Sequence, residues 1–363
     1  MNPRTLLLAA VALVLASCTS RGTPYVIAAA GPWQLAQGRS TRLGIALAIK
    51  EINDSGGING HRLELRDADD RADPQRAADI AQRFVNDRSI SAVVGLVTPA
   101  ATAAATRLYD GNLVAVTAAA NSPEPMVAST WLFRVASSDS ADGTELAAYA
   151  GRLGHRRAAI LFENDSHGRG IAGAFRRAFG GEVVSIDPIG PVAKGADVYV
   201  TYLKQRQPDL IFIAGFEASG AVLLTEARRQ ELKAAFMGGE GWIPLAERAE
   251  VAEGVYVGAP FVPTDPKASV QRFVTAFEQA NTGVAPDANA ARAYDATRVV
   301  AAALGAVGRD RRRIRDWLAG MDRAVEGVTG PIRFLPTGEP TGKGLTFTRV
   351  RKDGTLAVME ARP

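Results

Sequence analysis

The stretch from Gly38 to Pro74, GRSTRLGIALAIKEINDSGGINGHRLELRDADDRADP, restricts the chain to one kind of architecture. Ile45, Ile49 and Ile52 recur at i, i+4 and i+7 and share one helix face, while Lys50, Glu51 and Asn53 lie off that stripe. Gly56-Gly57 supplies the permissive backbone that ends a helix. Leu63 and Leu65 then alternate with Arg62, Glu64 and Arg66, which is strand periodicity. Asp73-Pro74 reads as an N-cap followed by proline at the first helical position. With the strand-like run Tyr25 to Ala30 ahead of them, a helix, a glycine turn, a strand and a second helix in succession make a βαβα unit.

The alternation continues along the chain. Tyr25 to Ala30, Leu63 to Leu65, Ala92 to Gly95 and Leu113 to Thr117 form a first series of strand-like runs; Ala158 to Phe162, Val183 to Ile186 and Leu210 to Ala214 form a second. Most are continuous and apolar, as in strands covered on both faces of a parallel sheet. Helices are predicted between them, including Asp73 to Val85, with Ala77, Ile80, Ala81 and Phe84 on one face, and Gly168 to Phe179. The pattern predicts a doubly wound α/β fold. A length of 363 residues and two strand series predict two such lobes. The net charge of +4, or +3 without the leader's Arg4, is too slight at this length to argue for a nucleic-acid or acidic partner.

The N-terminus carries an address. In MNPRTLLLAAVALVLASC, Arg4 is a charged n-region and Thr5 to Leu15 an apolar h-region too short to span a membrane stably. Leu15-Ala16-Ser17-Cys18 matches the bacterial lipobox, in which the cysteine is lipidated and becomes the first residue; the other reading is an ordinary secretory signal with a chance cysteine. Residues 1–17 are thus read as a signal peptide and 18–23 as a lipidated tether holding the body at a membrane surface. Thr19, rather than aspartate, after the cysteine favours the outer membrane in a Gram-negative host. Cys18 is the only cysteine, so no intrachain disulfide is possible, and only His61, His155 and His167 are available as imidazole ligands for a metal.

Glu51-Ile52-Asn53, Gly56 to Ile58, Gly60, Asp69-Asp70 and Pro74 together resemble the type I periplasmic binding proteins of the Leu/Ile/Val-binding family, and the resemblance runs nearly to the end of the chain. It implies two doubly wound parallel-sheet lobes joined by a three-segment hinge. The crossings would fall near Ser137-Asp139, Val257-Phe261 and Leu335-Gly338, where SSDSADG, GAPFVPTDP and LPTGEPTG are turn-rich. The first lobe would be residues 24–137 with 262–334, and the second 139–257 with 336–363. The family's disulfide near the Asp-Asp turn is absent, since Ala72 and Val97 stand there.

Ligands in doubly wound sheets sit beyond the carboxyl ends of the strands. Trp33, in Gly31-Pro32-Trp33-Gln34, either lines the cleft or covers the sheet edge. Thr98 opens a helix whose N-terminal N–H groups suit an anion; it is also a simple N-cap ahead of Pro99. The resemblance assigns this loop the ligand's α-carboxylate, with Pro99 in place of the usual serine, and Thr98 and Thr102 as substitute hydroxyls. It also assigns contacts with the ligand's ammonium and carboxylate to Ala119 and Asn121, a segment otherwise read as a plain turn. His167 stands where the family has a tyrosine that closes over the ligand, and a cleft position there would make affinity sensitive to pH near neutrality. Phe216 matches an aromatic that packs on the ligand side chain. Glu240, between glycines, matches the acid that pairs with the ligand's α-ammonium; otherwise it is a solvated loop residue.

Two further clusters have plainer readings. Asp67, Asp69, Asp70 and Asp73 suggest a calcium loop, but the twelfth position is Ala78 rather than glutamate, so a strand-to-helix turn is expected. Arg309, Arg311, Arg312, Arg313 and Arg315 read as a solvated helix start or a docking surface. There is no G-x-S-x-G, Walker loop, H-E-x-x-H or dinucleotide glycine fingerprint. The expectation is a non-enzymatic, cofactor-free lipoprotein that captures an amino acid or similar small ligand and delivers it to the permease of an ABC importer. The alternative is an envelope lipoprotein of the same fold that acts as a ligand sensor or activates a cell-wall enzyme.

Overall fold

A computed structural model describes residues 22–118, 124–190 and 194–359; the leader with Cys18, the Ala119–Asn121 segment and the last four residues lie outside it. The first lobe is built on a parallel sheet of β1 (Tyr25–Gly31), β2 (Leu63–Asp69), β3 (Ile90–Gly95), β4 (Ala115–Thr117) and β5 (Leu132–Arg134), in the order β2-β1-β3-β4-β5. Side chains on β1 alternate between two cores. Ile27 and Ala29 face Ile45, Val299, Val300 and Leu304, whereas Val26, Ala28 and Ala30 face Ile80, Phe84 and Tyr109. Helices therefore cover both faces, the reason these strands read as continuous apolar runs.

The second lobe contains β6 (Arg157–Glu163), β7 (Glu182–Ile189), β8 (Leu210–Ala214), β9 (Ala235–Gly238), β10 (Tyr256–Ala259), β11 (Thr346–Val350) and β12 (Leu356–Val358). Their order is β12-β11-β10-β9-β8-β6-β7, with the β10–β11 and β11–β12 pairings antiparallel and the rest parallel. The edge strand β7 accommodates Pro188, which has no N–H to give a further neighbour. The helical stripe, the glycine turn and the Asp73 cap form as expected. Ile45 is fully buried with Ile49 and Ile52 packed around it, and the Asp73 carboxylate accepts from the Arg76 N–H at 2.9 Å. The aspartate cluster is a strand-to-helix turn, its carboxylates accepting from the N–H groups of Trp33, Arg71 and Ala72.

The helix Ala36–Asp54 crosses the helix Ala288–Val307 so closely that a Cβ at Gly44 would lie 2.1 Å from the Ala290 carbonyl oxygen. The basic run is not simply a solvated helix start: Arg311 donates to the carbonyls of Phe84, Val85, Asp87, Ile90 and Asn112, and ties the helix it opens to the first lobe. Finally, the chain enters β1 under restraint. The Thr23 carbonyl accepts from His61 Nδ1 at 2.9 Å and from Arg309, whose guanidinium lies over the Tyr25 ring.

Candidate functional site

The carboxyl ends of both sheets face one another across a cavity of about 1040 Å³. Gln37, Val97, Pro99, Arg134, Asn289 and Arg292 line it from the first lobe; Ser166, His167, Phe216, Glu217 and Glu240 line it from the second.

The first-lobe wall depends on an unusual backbone after β3. Gly95 has φ +98° and Leu96 φ +56°, and the Leu96 N–H donates to the Ala30 carbonyl at 2.8 Å. Only glycine fits at 95, where a Cβ would lie 2.5 Å from the Ala30 oxygen. Thr117 Oγ1 donates to the Leu96 carbonyl and fixes the loop from the next strand. The turn points Val97 and Pro99 into the cavity and starts the helix Pro99–Tyr109 there. Thr98 is the N-cap residue by backbone, but its hydroxyl makes no cap bond. The Thr98 and Thr102 hydroxyls are buried without a partner among the described residues. Thr98 itself is not on the wall. Trp33 is not either; it is only 9% exposed and packs into the first-lobe core across Gly31. Ala119 and Asn121 lie outside the described residues.

In the second lobe, Asp165 caps the helix Ser166–Ala178 by accepting from the Gly168 N–H at 2.7 Å, and the first turn of that helix presents His167. The imidazole Nδ1 lies 3.0 Å from Asp139 Oδ1 and the ring stacks on Phe216, with centroids 5.4 Å apart. Burial works against a charged imidazolium. Asp139, with help from Asp165 and Glu240, outweighs it and holds the His167 pKa above its ordinary value. Phe216 is half exposed at the cavity surface, its N–H donating to Glu163 at the end of β6. His167 and Phe216, distant in sequence, therefore form one aromatic wall.

Glu240 lies on the cavity wall, but it is already paired. Arg292, from the helix Ala288–Val307 of the opposite lobe, reaches across and donates to it through Nη2. A second ion pair flanks the cavity near the hinge. The buried Arg134 at the end of β5 donates through Nε and Nη2 to Glu339, at 2.8 and 2.7 Å. Sequence reasoning singled out none of Arg134, Arg292 and Glu339. The available signal was an arginine inside ANAARAYDATRVV, a helix with almost no polar face, where a charge demands a partner.

Asp142 lies behind this region and accepts from Ser137 Oγ at 2.5 Å. Burial pushes its carboxyl up to about 6, against the opposing effects of Ser137 and Arg292 and with Glu240 and Asp139 adding to the rise. Since the unfolded chain releases this proton at lower pH, native stability falls as pH rises from about 4 to about 6. Asp142→Asn is expected to flatten that part of a pH–stability curve and to raise stability at pH 7 by about 2 kcal/mol. An unchanged slope in urea titrations across this range rules the assignment out.

The described residues contain no cluster of His, Cys, Asp and Glu able to hold a metal, and no helix among them is long and apolar enough to cross a membrane. Known proteins share the arrangement. A family model for periplasmic binding proteins matches residues 24–355. An amino acid binding protein of Pseudomonas aeruginosa is 28% identical over 327 residues, covering 85% of this chain and 86% of that protein. The Leu/Ile/Val/Thr-binding protein of Salmonella typhimurium is 32% identical over 273 residues, covering 72% and 74%. Among solved structures, a putative branched-chain amino acid ABC transporter protein from Rhodospirillum rubrum superposes with a TM-score of 0.83 at 28% identity, covering 93% of this chain and all of that one. A substrate-binding protein from Desulfitobacterium hafniense in complex with Leu does so at 0.79 and 30%, with the same coverage. Two α/β lobes facing each other across a shared cleft, matched nearly end to end, place this chain in the periplasmic binding protein family, whose members are extracytoplasmic ligand binders rather than enzymes.

Proposed function

We propose that the protein captures a small carboxylate-bearing solute, an amino acid or a close relative, between its lobes and delivers it to the permease of an ABC importer. The observation that carries this reading is the shared cavity, whose walls come from both lobes and whose span is crossed by a side-chain pair. A solute bound there touches both halves at once, so it favours the closed state over an open one. On this reading, residues 24–137 with 262–334 close against 139–257 with 336–363. The helix N-terminus at Thr98, with Ala119 and Asn121, faces the carboxylate. His167 and Phe216 shape the side-chain pocket, and Glu240 with Arg292 occupies the position that faces the ligand's α-carbon. Relatives that bind branched-chain amino acids support the ligand class. The lipobox at Cys18 supports attachment to a membrane, where the closed form meets the permease.

A thermal-shift screen of amino acids, amides and small carboxylates tests the proposal. A ligand at a hundred times its dissociation constant adds about 2.7 kcal/mol to stability. A hit that is weakened by Phe216→Ala locates binding in this cleft. A well-folded protein that responds to no solute sinks solute capture and favours a partner-binding envelope protein.

A further inference from the structure

Arg292 is 3% exposed, lines the cavity and uses Nη2 to hold Glu240. Its Nε, adjacent to Nη2 on the same edge of the guanidinium, has no partner. That edge is the one an arginine presents to both oxygens of a carboxylate. Arg134 shows the complete arrangement in this molecule, with Nε and Nη2 both engaged by Glu339. In Arg292 the edge is half used, and a buried N–H without an acceptor is costly. Arg292 borders the ligand cavity, but Nε itself is sealed from it, so a ligand oxygen takes this edge only when the side chain turns toward the cavity.

Charge around the cavity points the same way. An acid waiting for an ammonium must be unpaired, but Glu240 already holds a guanidinium, and Asp139 holds His167. An ammonium beside Glu240 would meet the like charge of Arg292. The remaining wall acid, Glu217, opens the helix Glu217–Arg229, whose N-terminus already favours its charge. Two wall cations, Arg169 and Arg177, have no ion-pair partner among the described residues. The wall is thus better matched to an anion than to a zwitterion.

We propose that Arg292 determines specificity in this cleft: the ligand is a small organic acid without an α-ammonium group, its carboxylate held by the Arg292 guanidinium, turned toward the cavity beside Glu240, in place of the helix start at Thr98. The inference rests on solute capture in the cleft and narrows the solute from amino acids to their deaminated counterparts. Isothermal titration with matched pairs tests it: leucine against 4-methylpentanoate, phenylalanine against 3-phenylpropanoate and alanine against propanoate. The acid of at least one pair is expected to bind at least about ten-fold more tightly than its amino acid, one charge-assisted hydrogen bond corresponding to roughly a ten- to hundred-fold change in affinity. Arg292→Met is expected to weaken that acid by a similar factor, with thermal melting checking that the variant folds. Glu240→Gln is expected to tighten the acid several-fold, because it frees the guanidinium and removes a nearby negative charge. An ammonium-anchoring Glu240 gives the opposite sign. Tighter binding of the amino acids, with loss in Glu240→Gln, overturns the inference and leaves solute capture standing. Binding of neither class by the folded protein overturns both.

Discussion

Replacing Asp295 by alanine is expected to lower the stability of the protein by about 3–5 kcal/mol, the range for removing one partner of a buried charged network. Asp295 is fully buried on the helix Ala288–Val307. Its carboxylate accepts from the Val328 N–H at 2.7 Å, the Thr329 N–H at 2.9 Å and the Thr329 hydroxyl at 2.6 Å. Lys343, itself brought down to about 8 by burial against the pull of Asp295, donates to the Thr329 hydroxyl at 2.8 Å. Alanine at 295 leaves two backbone N–H groups without acceptors and an ammonium without its counter-charge. Asn is expected to restore part of the loss, because its single oxygen replaces one acceptor but no charge. Urea denaturation of the three proteins decides the matter; a loss under about 1 kcal/mol for alanine means water replaces the carboxylate and the site is not sealed.

The second large effect is expected at Gly44. Valine there is expected to cost about 3 kcal/mol or more, since its Cβ meets a backbone oxygen that no rotamer change can move. The helices Ala36–Asp54 and Ala288–Val307 must separate to admit it. Gln37 and Arg292, which line the cavity, ride on these two helices, so the same variant is expected to weaken ligand binding in the folded fraction. Chemical denaturation reads the first effect and titration of the remaining folded protein the second. Normal stability and binding together contradict the close approach at Gly44.

Much of the architecture is legible in the chain because its strands are local, apolar and evenly spaced. The helix–glycine–strand–cap succession from Gly38 to Pro74 is encoded by neighbours in sequence, and it forms as read. The strands β9 to β12 escape such reading. They are short, and the β11–β12 hairpin has only partial burial to impose a pattern. Glu240, His167 and Phe216 announce themselves as residues at strand ends, and all three reach the cavity wall. Their partners do not announce themselves. Arg292 lies 52 positions from Glu240, and Arg134 lies 205 from Glu339. The packing of one lobe against the other brings the first pair together and a late segment laid along β5 the second, and no periodicity records either. Trp33 illustrates the converse, an aromatic expected at the cleft whose ring instead packs into the core.

The restraint on Thr23 has a mechanical consequence. His61 and Arg309 fasten the backbone just ahead of β1, at the amino end of the sheet, whereas the cavity lies beyond the carboxyl ends. Tension applied through the preceding residues is therefore delivered to the base of one lobe and spreads through its sheet before it reaches the cleft.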